Sequence, residues 1–372
     1  MKKEGFSLFI LCTVVMIAML VLTACQNSGS GFDSAADSGS DKVEIIRNSD
    51  GSYSCDLFAM DTVMQLKAYG GNEVRKALAD AAAEIIRLDG ELNVTNKNSP
   101  VYALNHRKTE TVSGDTARVL EQSLRMAELT EGSFDPTIYP IVRAWGFTTQ
   151  KYRIPSSDEI GELLNHVGYD RISISQEEGG MRILFNDEQT EIDTGGIGKG
   201  YASESIYHIL KHDGVKSAVV SLGGNVITMG KKPDGSQWKV AIDDPFNSGS
   251  TDYAGVIRLT DKYAISSGGY QRYFEKDGKT YIHIMDPSTG MPVDNDLSSV
   301  TIISDSGTEG DALSTALYVM GLEKALEFWK TTGLDFDMIL ITTDKEIYIT
   351  PDIAGDFSSD NASYGIIHTI RN

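Results

Sequence analysis

The sequence predicts an α+β fold in which mixed strands and helices form one compact, two-lobed body. Three long segments, 72–92, 113–130 and 199–212, carry apolar residues three and four positions apart, as amphipathic helices do. Short apolar segments separated by Gly, Asp and Asn follow residue 216 and indicate strands. Because the two kinds of segment do not alternate strictly, α+β is favoured over α/β.

The other elements are predicted from the same patterns, in chain order. Residues 52–67 predict a strand, 93–105 a polar loop, 131–147 a packed loop or broken helix, and Ser113 is the expected N-cap of the second helix. Further helices are predicted over 158–166, 310–320 and 323–332, a hairpin over 171–191, and strands over 217–222, 239–242, 255–259, 263–266, 270–275, 279–284, 299–304, 336–342 and 346–349.

The N-terminal segment is predicted to lie outside the folded domain. Lys2 and Lys3 precede an apolar run over 6–22, which is typical of a secretory signal. Cys25, directly after Leu-Thr-Ala, resembles the lipobox of bacterial lipoproteins. The signal peptide would then span 1–24 and Cys25 would carry the lipid, with an uncleaved transmembrane anchor as the alternative.

A segment rich in Ser, Gly and Asp over 25–50 predicts a flexible tether in front of a domain spanning 51–372. We expect this domain to be exported and anchored at the extracytoplasmic face of the cell membrane. Besides Cys25, the chain has Cys12, within the signal, and Cys55, so the mature protein lacks a second side-chain thiol for an intramolecular disulfide. Cys55 is either a catalytic thiol or, as we favour, a buried strand residue.

The charge balance restricts the class of partner. The formal net charge of −20 argues against nucleic acid, because phosphate backbones need clustered Lys and Arg. An anionic small molecule remains compatible if a metal or a few local cations serve its site. Since the overall charge is negative, a binding site for phosphate groups would have to be formed by a short local motif with its own cations or metal.

The first such motif is glycine-rich and directly precedes the predicted helix 199–212. It runs Ile-Asp-Thr-Gly-Gly-Ile-Gly-Lys-Gly-Tyr over 192–201, with Lys199 as a local cation. Glycines allow close backbone approach, and a helix N-terminus offers free N–H groups to phosphate. The motif fits neither the Walker A pattern nor G-x-G-x-x-G. A phosphate loop and a tight structural turn are both compatible with it.

Two arrangements of histidine are candidates for chemistry. His283 lies in the string Tyr-Ile-His-Ile-Met-Asp-Pro over 281–287 and is either an acid, base or ligand, or a hydrogen-bonded core residue. His208 and His212 stand four apart on a predicted helix, which is a zinc-ligand spacing. Ile209 replaces the glutamate of a zinc protease and no third ligand is near, so an ordinary helix face is favoured there.

Oxygen donors define a third motif, Gly-Asp-Ala-Leu-Ser-Thr over 310–315. Residues four apart share one face of a helix, so the Asp311 carboxylate and the Thr315 hydroxyl would point together. Both are hard donors of the kind that Mg²⁺ or Ca²⁺ prefers. The alternative is an aspartate that stabilises the first helical turn beside an unrelated threonine. Aromatic or glycine-rich strings at 133–137, 145–147, 223–225 and 266–273 are further candidates, for ring stacking or for core packing.

In this order, the motifs resemble those of the ApbE family of FAD:protein FMN transferases. The resemblance covers Ser52 to the C-terminus and is carried by D-x-G-G-I-x-K-G-Y at 193–201, S-G-x-Y-x-R-Y at 267–273, H-I-x-D-P-x-T-G-x-P at 283–292 and D-A-L-S-T-A at 311–316. Each string is weak or moderate alone, but their joint occurrence with F-D-P-T and W-G-F upstream is specific. A lipobox is common in that family.

The resemblance implies a role for each matching residue. Mg²⁺ would be held by Asp311, Thr315 and the Gly198 carbonyl, with help from Ser314. His283 would be the catalytic base or its close partner, and Lys199 and Arg272 would lie near the phosphates. The FAD pocket would be lined by Met60, Ser133, Phe134, Asp135, Asp193, Gly195, Lys199, Tyr201 and Met285.

Two positions depart from the family pattern. Gly198 stands where alanine is usual before the loop lysine, which preserves a carbonyl ligand. Thr95 stands where an aromatic residue often precedes the Ser99-to-Asn105 string. Stacking on one face of the flavin or adenine must therefore be weaker or come from elsewhere.

The resemblance implies Mg²⁺-dependent transfer of FMN from FAD to a threonine hydroxyl of a target protein, forming a phosphoester and releasing AMP. Targets would carry a D-x-x-[ST]-G-A-T-like motif and be respiratory or extracellular electron-transfer flavoproteins. The only related segment here, 295–301, is a poor copy, so we expect action in trans. The alternatives are a metal-dependent FAD pyrophosphatase giving FMN and AMP, and a non-catalytic flavin-binding lipoprotein.

Overall fold

The computed structural model describes residues 43–247, 252–365 and 367–371. The predicted signal 1–24, the lipidation site Cys25 and the tether up to residue 42 lie outside the described residues. Ile46 and Arg47 pair with Ser54 and Tyr53, so the fold includes two residues of the predicted tether 25–50. Among the described ranges, no helix combines the length and apolar character needed to cross a bilayer.

The helices and strands of the described part have the following bounds. The helices are α1 (Asn72–Leu92), α2 (Pro100–Arg107), α3 (Gly114–Leu129), α4 (Tyr139–Trp145), α5 (Ser157–Leu164), α6 (Gly198–His212), α7 (Gly307–Met320) and α8 (Leu322–Thr331). The strands are β1 (Ile46–Arg47), β2 (Ser52–Ala59), β3 (Thr62–Tyr69), β4 (Thr109–Val112), β5 (Ile172–Glu177), β6 (Gly180–Phe185), β7 (Ser217–Leu222), β8 (Asn225–Met229), β9 (Trp238–Asp243), β10 (Tyr253–Leu259), β11 (Tyr263–Gly268), β12 (Tyr273–Lys276), β13 (Lys279–Ile282), β14 (Leu297–Ser304), β15 (Phe336–Thr342), β16 (Ile347–Ile349), β17 (Phe357–Ser358) and β18 (Ile367–Thr369).

A mixed sheet in the order β1-β2-β3-β7-β8-β11-β14-β15-β16-β18 organises the fold. Its neighbouring strands are antiparallel except for the parallel pair β16 and β18. Helices α1, α6 and α7 contribute to the main apolar core, in which Leu78, Ile206 and Leu313 lie with Met64 and Ile302 of the sheet. The remaining strands form three smaller sheets, β17-β10-β9, β4-β6-β5 and β12-β13. The α+β prediction is therefore confirmed.

The predicted strand 52–67 is wrong in one respect, because it is two strands. β2 and β3 pair antiparallel from Ser52↔Tyr69 to Ala59↔Thr62. Met60 and Asp61 form the turn between them, with φ of 48° and 60°. Two residues with positive φ suit a tight hairpin turn. Neither is glycine, so these residue types do not mark a turn there.

Several shorter elements also differ from prediction. The predicted loop 93–105 contains α2, which Ser99 caps by accepting a hydrogen bond from the Tyr102 amide at 2.9 Å. Ser113 occupies the N-cap position of α3 but makes no side-chain capping bond. The predicted strand 279–284 ends at Ile282, so His283 follows it in a loop. Strands β1, β4, β8, β17 and β18 were not expected, and the predicted strand 270–275 is shortened to β12.

Candidate functional site

A cleft of about 610 Å³ opens at one end of the large sheet, a volume typical of small-molecule sites. It is enclosed by the β2–β3 turn, the segments around 89–95, 133–138, 193–199, 266–272 and 283–287, and the first turns of α7. These segments are distant in sequence, so the cleft exists only in the folded chain.

The glycine-rich segment enters the cleft in a fixed conformation. The Thr194 hydroxyl donates to the Leu92 carbonyl at 2.8 Å, and the Asp193 amide donates to the Pro136 carbonyl at 2.7 Å. The Gly195 amide donates to the Asp193 carboxylate at 2.8 Å. A Cβ atom on Gly196 would lie 3.0 Å from the Phe134 ring, so the glycine allows a close approach. The segment is therefore preorganised at the N-terminus of α6.

The Asp311 carboxylate lies beside this segment, with only 2% of the residue exposed. Its Oδ2 accepts a hydrogen bond from the Gly200 amide at 2.8 Å, and its Oδ1 lies 3.7 Å from the Lys199 Nζ. Thr315 follows one turn later and also lines the cleft, as the spacing of four residues predicted. The Ser267 hydroxyl lies 3.5 Å from the Thr315 hydroxyl. A carboxylate and two hydroxyls thus face one region.

This region fits a divalent cation that also binds substrate oxygens. The cleft lining contains six aspartates, at 61, 89, 135, 193, 243 and 311, but only two cations, Lys199 and Arg272. A polyanionic ligand would need additional positive charge there. Within the described ranges, no cluster of three or more His, Cys, Asp and Glu side chains is placed to bind a metal. One carboxylate with neutral oxygens and substrate phosphates is a common set for Mg²⁺.

Close packing of α6 against α7 positions Asp311. A Cβ atom on Gly200 would lie 2.2 Å from the Gly307 carbonyl oxygen and 2.6 Å from the Asp311 Cβ. We expect Gly200→Ala to force the helices apart, at a cost of about 1–3 kcal/mol in unfolding free energy. Thermal unfolding should show a fall in Tm of several degrees.

Gly161→Ala in α5 is the matched control, since a Cβ atom at Gly161 meets no atom within 4 Å. The control should leave Tm unchanged or raise it slightly, because alanine favours helix more than glycine does. Equal Tm values for the two variants would contradict the proposed close helix contact.

His283 is half-buried and faces the cleft from the loop after β13. Its amide donates to the Arg272 carbonyl at 3.0 Å, and its Nδ1 lies 3.1 Å from the same oxygen. A carbonyl oxygen only accepts, so Nδ1 carries the hydrogen and Nε2 has the free lone pair. Burial, and secondarily the Arg272 charge, lower the pKa of His283 to about 4. The imidazole is therefore a neutral base at neutral pH.

The structure brings most of the predicted site residues to this one cleft. The cleft is lined by Met60, Ser133, Phe134, Asp135, Asp193, Gly195, Gly198, Lys199, Arg272, His283, Met285, Asp311 and Thr315. Both carboxylate oxygens of Asp135 accept hydrogen bonds, one from the amide and hydroxyl of Thr137 and the other from the Tyr169 amide. Asp135 therefore also stabilises the loop in which it lies. Arg272 lies 3.9 Å from Asp61 at the cleft edge.

Tyr201, expected in the FAD pocket, and Ser314, expected to assist the metal site, are not among the residues that line the cleft. The Tyr201 hydroxyl donates to Asp115 at 2.5 Å and accepts from Arg118 at 2.8 Å, both on α3. Tyr201 is two residues beyond Lys199, or about 200° around the helix, so the two side chains face opposite ways. Ser314 is fully buried, where its hydroxyl lies 2.8 Å from that of Ser267 and donates to the Asp311 carbonyl at 2.8 Å.

Sequence reasoning missed other residues of the cleft. Asp61, Thr62, Asp89 and Asp243 line it, and none lies in a motif that suggested chemistry. The one feature that could have indicated them is their place in the chain, because they lie at turns or close to the ends of strands and helices. Thr95, which stands where the family often has an aromatic residue, also lines the cleft.

The structure supports the favoured interpretations of Cys55 and of the pair His208 and His212. Cys55 is 2% exposed within β2, and burial raises its thiol pKa to about 11, so it is a core residue. His208 and His212 are exposed on α6, and His212 contacts Asp213 at 3.0 Å. The ordinary helix face favoured from sequence is therefore the observed one.

Comparison with known proteins gives a consistent result. The model of the ApbE family matches residues 60–340. The FAD:protein FMN transferase of Haemophilus influenzae is 31% identical over 274 residues, which cover 73% of this chain and 78% of that protein. That of Treponema pallidum is 27% identical, over 86% of this chain and 89% of its own length. The solved ApbE protein of Thermotoga maritima superposes with a TM-score of 0.71 and 32% identity, covering 78% of this chain and 94% of that chain.

Proposed function

Because the chain belongs to the ApbE family, we propose that it is an FAD:protein FMN transferase, an enzyme that moves FMN from FAD onto a target protein. The observation that carries this proposal is the convergence of three groups in one cleft. These are the glycine segment at the start of α6, the Asp311–Thr315 pair and the neutral imidazole of His283.

Different residues of the cleft bind the pyrophosphate and the metal ion. The preorganised glycine segment and Lys199 bind the pyrophosphate of FAD, and Arg272 adds a second cation at the cleft edge. Asp311, Thr315 and the Gly198 carbonyl would hold Mg²⁺. Ser314 would assist indirectly, through the hydrogen bond that its hydroxyl donates to the Asp311 carbonyl. When bound, Mg²⁺ would neutralise charge on the phosphate oxygens. The Lys199 Nζ lies 3.7 Å from the Asp311 Oδ1 and helps to orient this carboxylate.

His283 supplies the base. Its Nε2 takes the proton from the hydroxyl of the acceptor threonine, whose oxygen attacks the phosphorus on the FMN side of FAD. A new oxygen–phosphorus bond forms, and the bond from that phosphorus to the bridging oxygen breaks. AMP leaves with the bridging oxygen, and FMN stays on the acceptor as a phosphoester. Because His283 is fixed through the Arg272 carbonyl, the lone pair points away from that anchor.

A direct experiment tests the proposal. The full chain is incubated with FAD, Mg²⁺ and a target protein carrying a D-x-x-[ST]-G-A-T-like segment, and the denatured target is analysed by mass spectrometry. We expect the mass of one added FMN and an equivalent amount of AMP. Free FMN and AMP without modified target would instead indicate the pyrophosphatase. Bound FAD without turnover would indicate a flavin-binding protein.

We also propose that the enzyme is a lipoprotein anchored to the extracytoplasmic face of the membrane through Cys25. The support is the sequence alone, an apolar signal ending in Leu-Thr-Ala-Cys. Cys25→Ser should move the protein from the membrane fraction to the soluble fraction of expressing cells. A variant that stays fully membrane-bound would argue for an uncleaved anchor.

A further inference from the structure

Three exposed apolar side chains, Ile46, Phe58 and Val63, lie on one face of β1, β2 and β3; the cross-strand pair Phe58 and Val63 forms an apolar patch, and Ile46 lies farther along the same face. These residues are 52%, 71% and 58% exposed, the highest values among the large apolar side chains of the described ranges. Phe58 pairs directly with Val63, and Ile46 pairs with Ser54. Paired residues, and alternate residues along a strand, share a face of the sheet, so the three side chains project to the same side.

The patch is continuous with the entrance of the cleft. Met60, Asp61 and Thr62 form and follow the turn between β2 and β3, and all three line the cleft. Phe58 precedes this turn by two residues, and Val63 directly follows Thr62. A molecule that covers the patch therefore lies beside the opening through which an acceptor hydroxyl must enter.

Two carboxylates flank the apolar pair. Asp56 shares the face of Phe58, is exposed, and has no salt-bridge partner among the described residues. The Asp61 side chain is 77% exposed and meets Arg272 only at 3.9 Å. Gln65, which pairs with Asp56, is neutral. A partner that complements this surface would present an apolar side chain next to Lys or Arg.

We propose that this patch is the docking surface for the acceptor protein, through an apolar side chain flanked by a basic residue near the acceptor hydroxyl. This inference rests on the proposed transferase function, because only transfer to a protein requires a macromolecule at the cleft entrance. The patch binds the acceptor and takes no part in FAD binding, since none of Ile46, Phe58 and Val63 lines the cleft.

The test uses the full chain with saturating FAD and Mg²⁺, and measures kcat/KM for an acceptor protein together with the Kd for FAD. Phe58→Ser should lower kcat/KM for the acceptor about tenfold or more, as loss of an interface anchor does. The Kd for FAD should stay within twofold. Asp56→Asn should cause a smaller fall that disappears near 0.5 M salt, about where exposed charges are screened.

Leu184→Ser is the matched control, because Leu184 is also an exposed apolar strand residue, 43% exposed on β6. It should leave both quantities unchanged, and circular dichroism should show that all variants fold. Wild-type transfer rates in Phe58→Ser would overturn the docking surface while leaving the transferase function intact. Absence of transfer by the wild type would instead refute the proposed function before any variant is compared.

Three further results would also overturn the inference. One is a parallel loss of FAD affinity in Phe58→Ser, which would assign the patch to the cleft. Another is a wild-type dimer that becomes a monomer in Phe58→Ser while kcat/KM stays unchanged, which would assign the patch to contact with a second copy of the chain. The last is a loss of binding to anionic phospholipid vesicles in Phe58→Ser without a change in kcat/KM, which would assign the patch to contact with the membrane surface.

Discussion

Asp311→Asn should lower the FMN transfer rate by roughly 10²–10³-fold, the loss seen when one charge-stabilising group is removed from a preorganised site. Asparagine keeps the shape of the side chain but removes the negative charge beside Thr315. Asp311 is almost fully buried and accepts a hydrogen bond from the Gly200 amide, so its carboxylate is held in one orientation. The apparent Kd for Mg²⁺ should rise, measured directly by calorimetry or by Mn²⁺ paramagnetic resonance in addition to activity.

Glu309→Gln provides the control on the same helix. Glu309 forms an ion pair with Arg125 at 2.8 Å and does not line the cleft. It should retain the wild-type rate and metal affinity, because exposed ion pairs contribute little. If Asp311→Asn kept the wild-type dependence on Mg²⁺, Asp311 would not be a metal ligand.

His283→Ala should slow transfer by roughly 10²–10⁴-fold, the usual contribution of a general base. The Kd for FAD should change far less, since the imidazole acts on the acceptor hydroxyl. Equilibrium binding of FAD and single-turnover transfer rates would separate the two effects. His208→Ala, on the exposed face of α6, is the control and should behave as the wild type. Equal losses of binding and rate would make His283 a binding residue.

The pH dependence of the rate gives an independent test of His283. Because the pKa of the folded-state imidazole is about 4, protonation removes the base only near that pH. The transfer rate should therefore stay nearly constant from pH 8 to about 5.5 and fall as pH decreases through about 4. A half-maximal rate near pH 6.5, the value for an ordinary histidine, would contradict the burial and charge effects described above.

Local sequence patterns predicted the long helices but missed several short strands and one turn. Helix α1 was predicted with the bounds that the structure shows, because 21 residues of amphipathic spacing leave little ambiguity. The β2–β3 hairpin was missed because its turn residues, Met60 and Asp61, are neither Gly, Pro nor Asn. Short edge strands such as β1 and β18 depend on pairing with neighbours, which local sequence does not record.

The sequence by itself determined the family, the fold class and the motifs that supply oxygen donors, glycines and an imidazole, since these depend on residue type and short spacing. Only the tertiary structure decided which of them meet. The Gly200 amide and the Asp311 carboxylate, 111 positions apart, are joined by the packing of α6 on α7. Helical rotation directs Tyr201 to α3 and Ser314 to the buried sheet face. Residue identity sets what chemistry is possible, but the direction of each side chain is fixed by the packing of the elements that carry it.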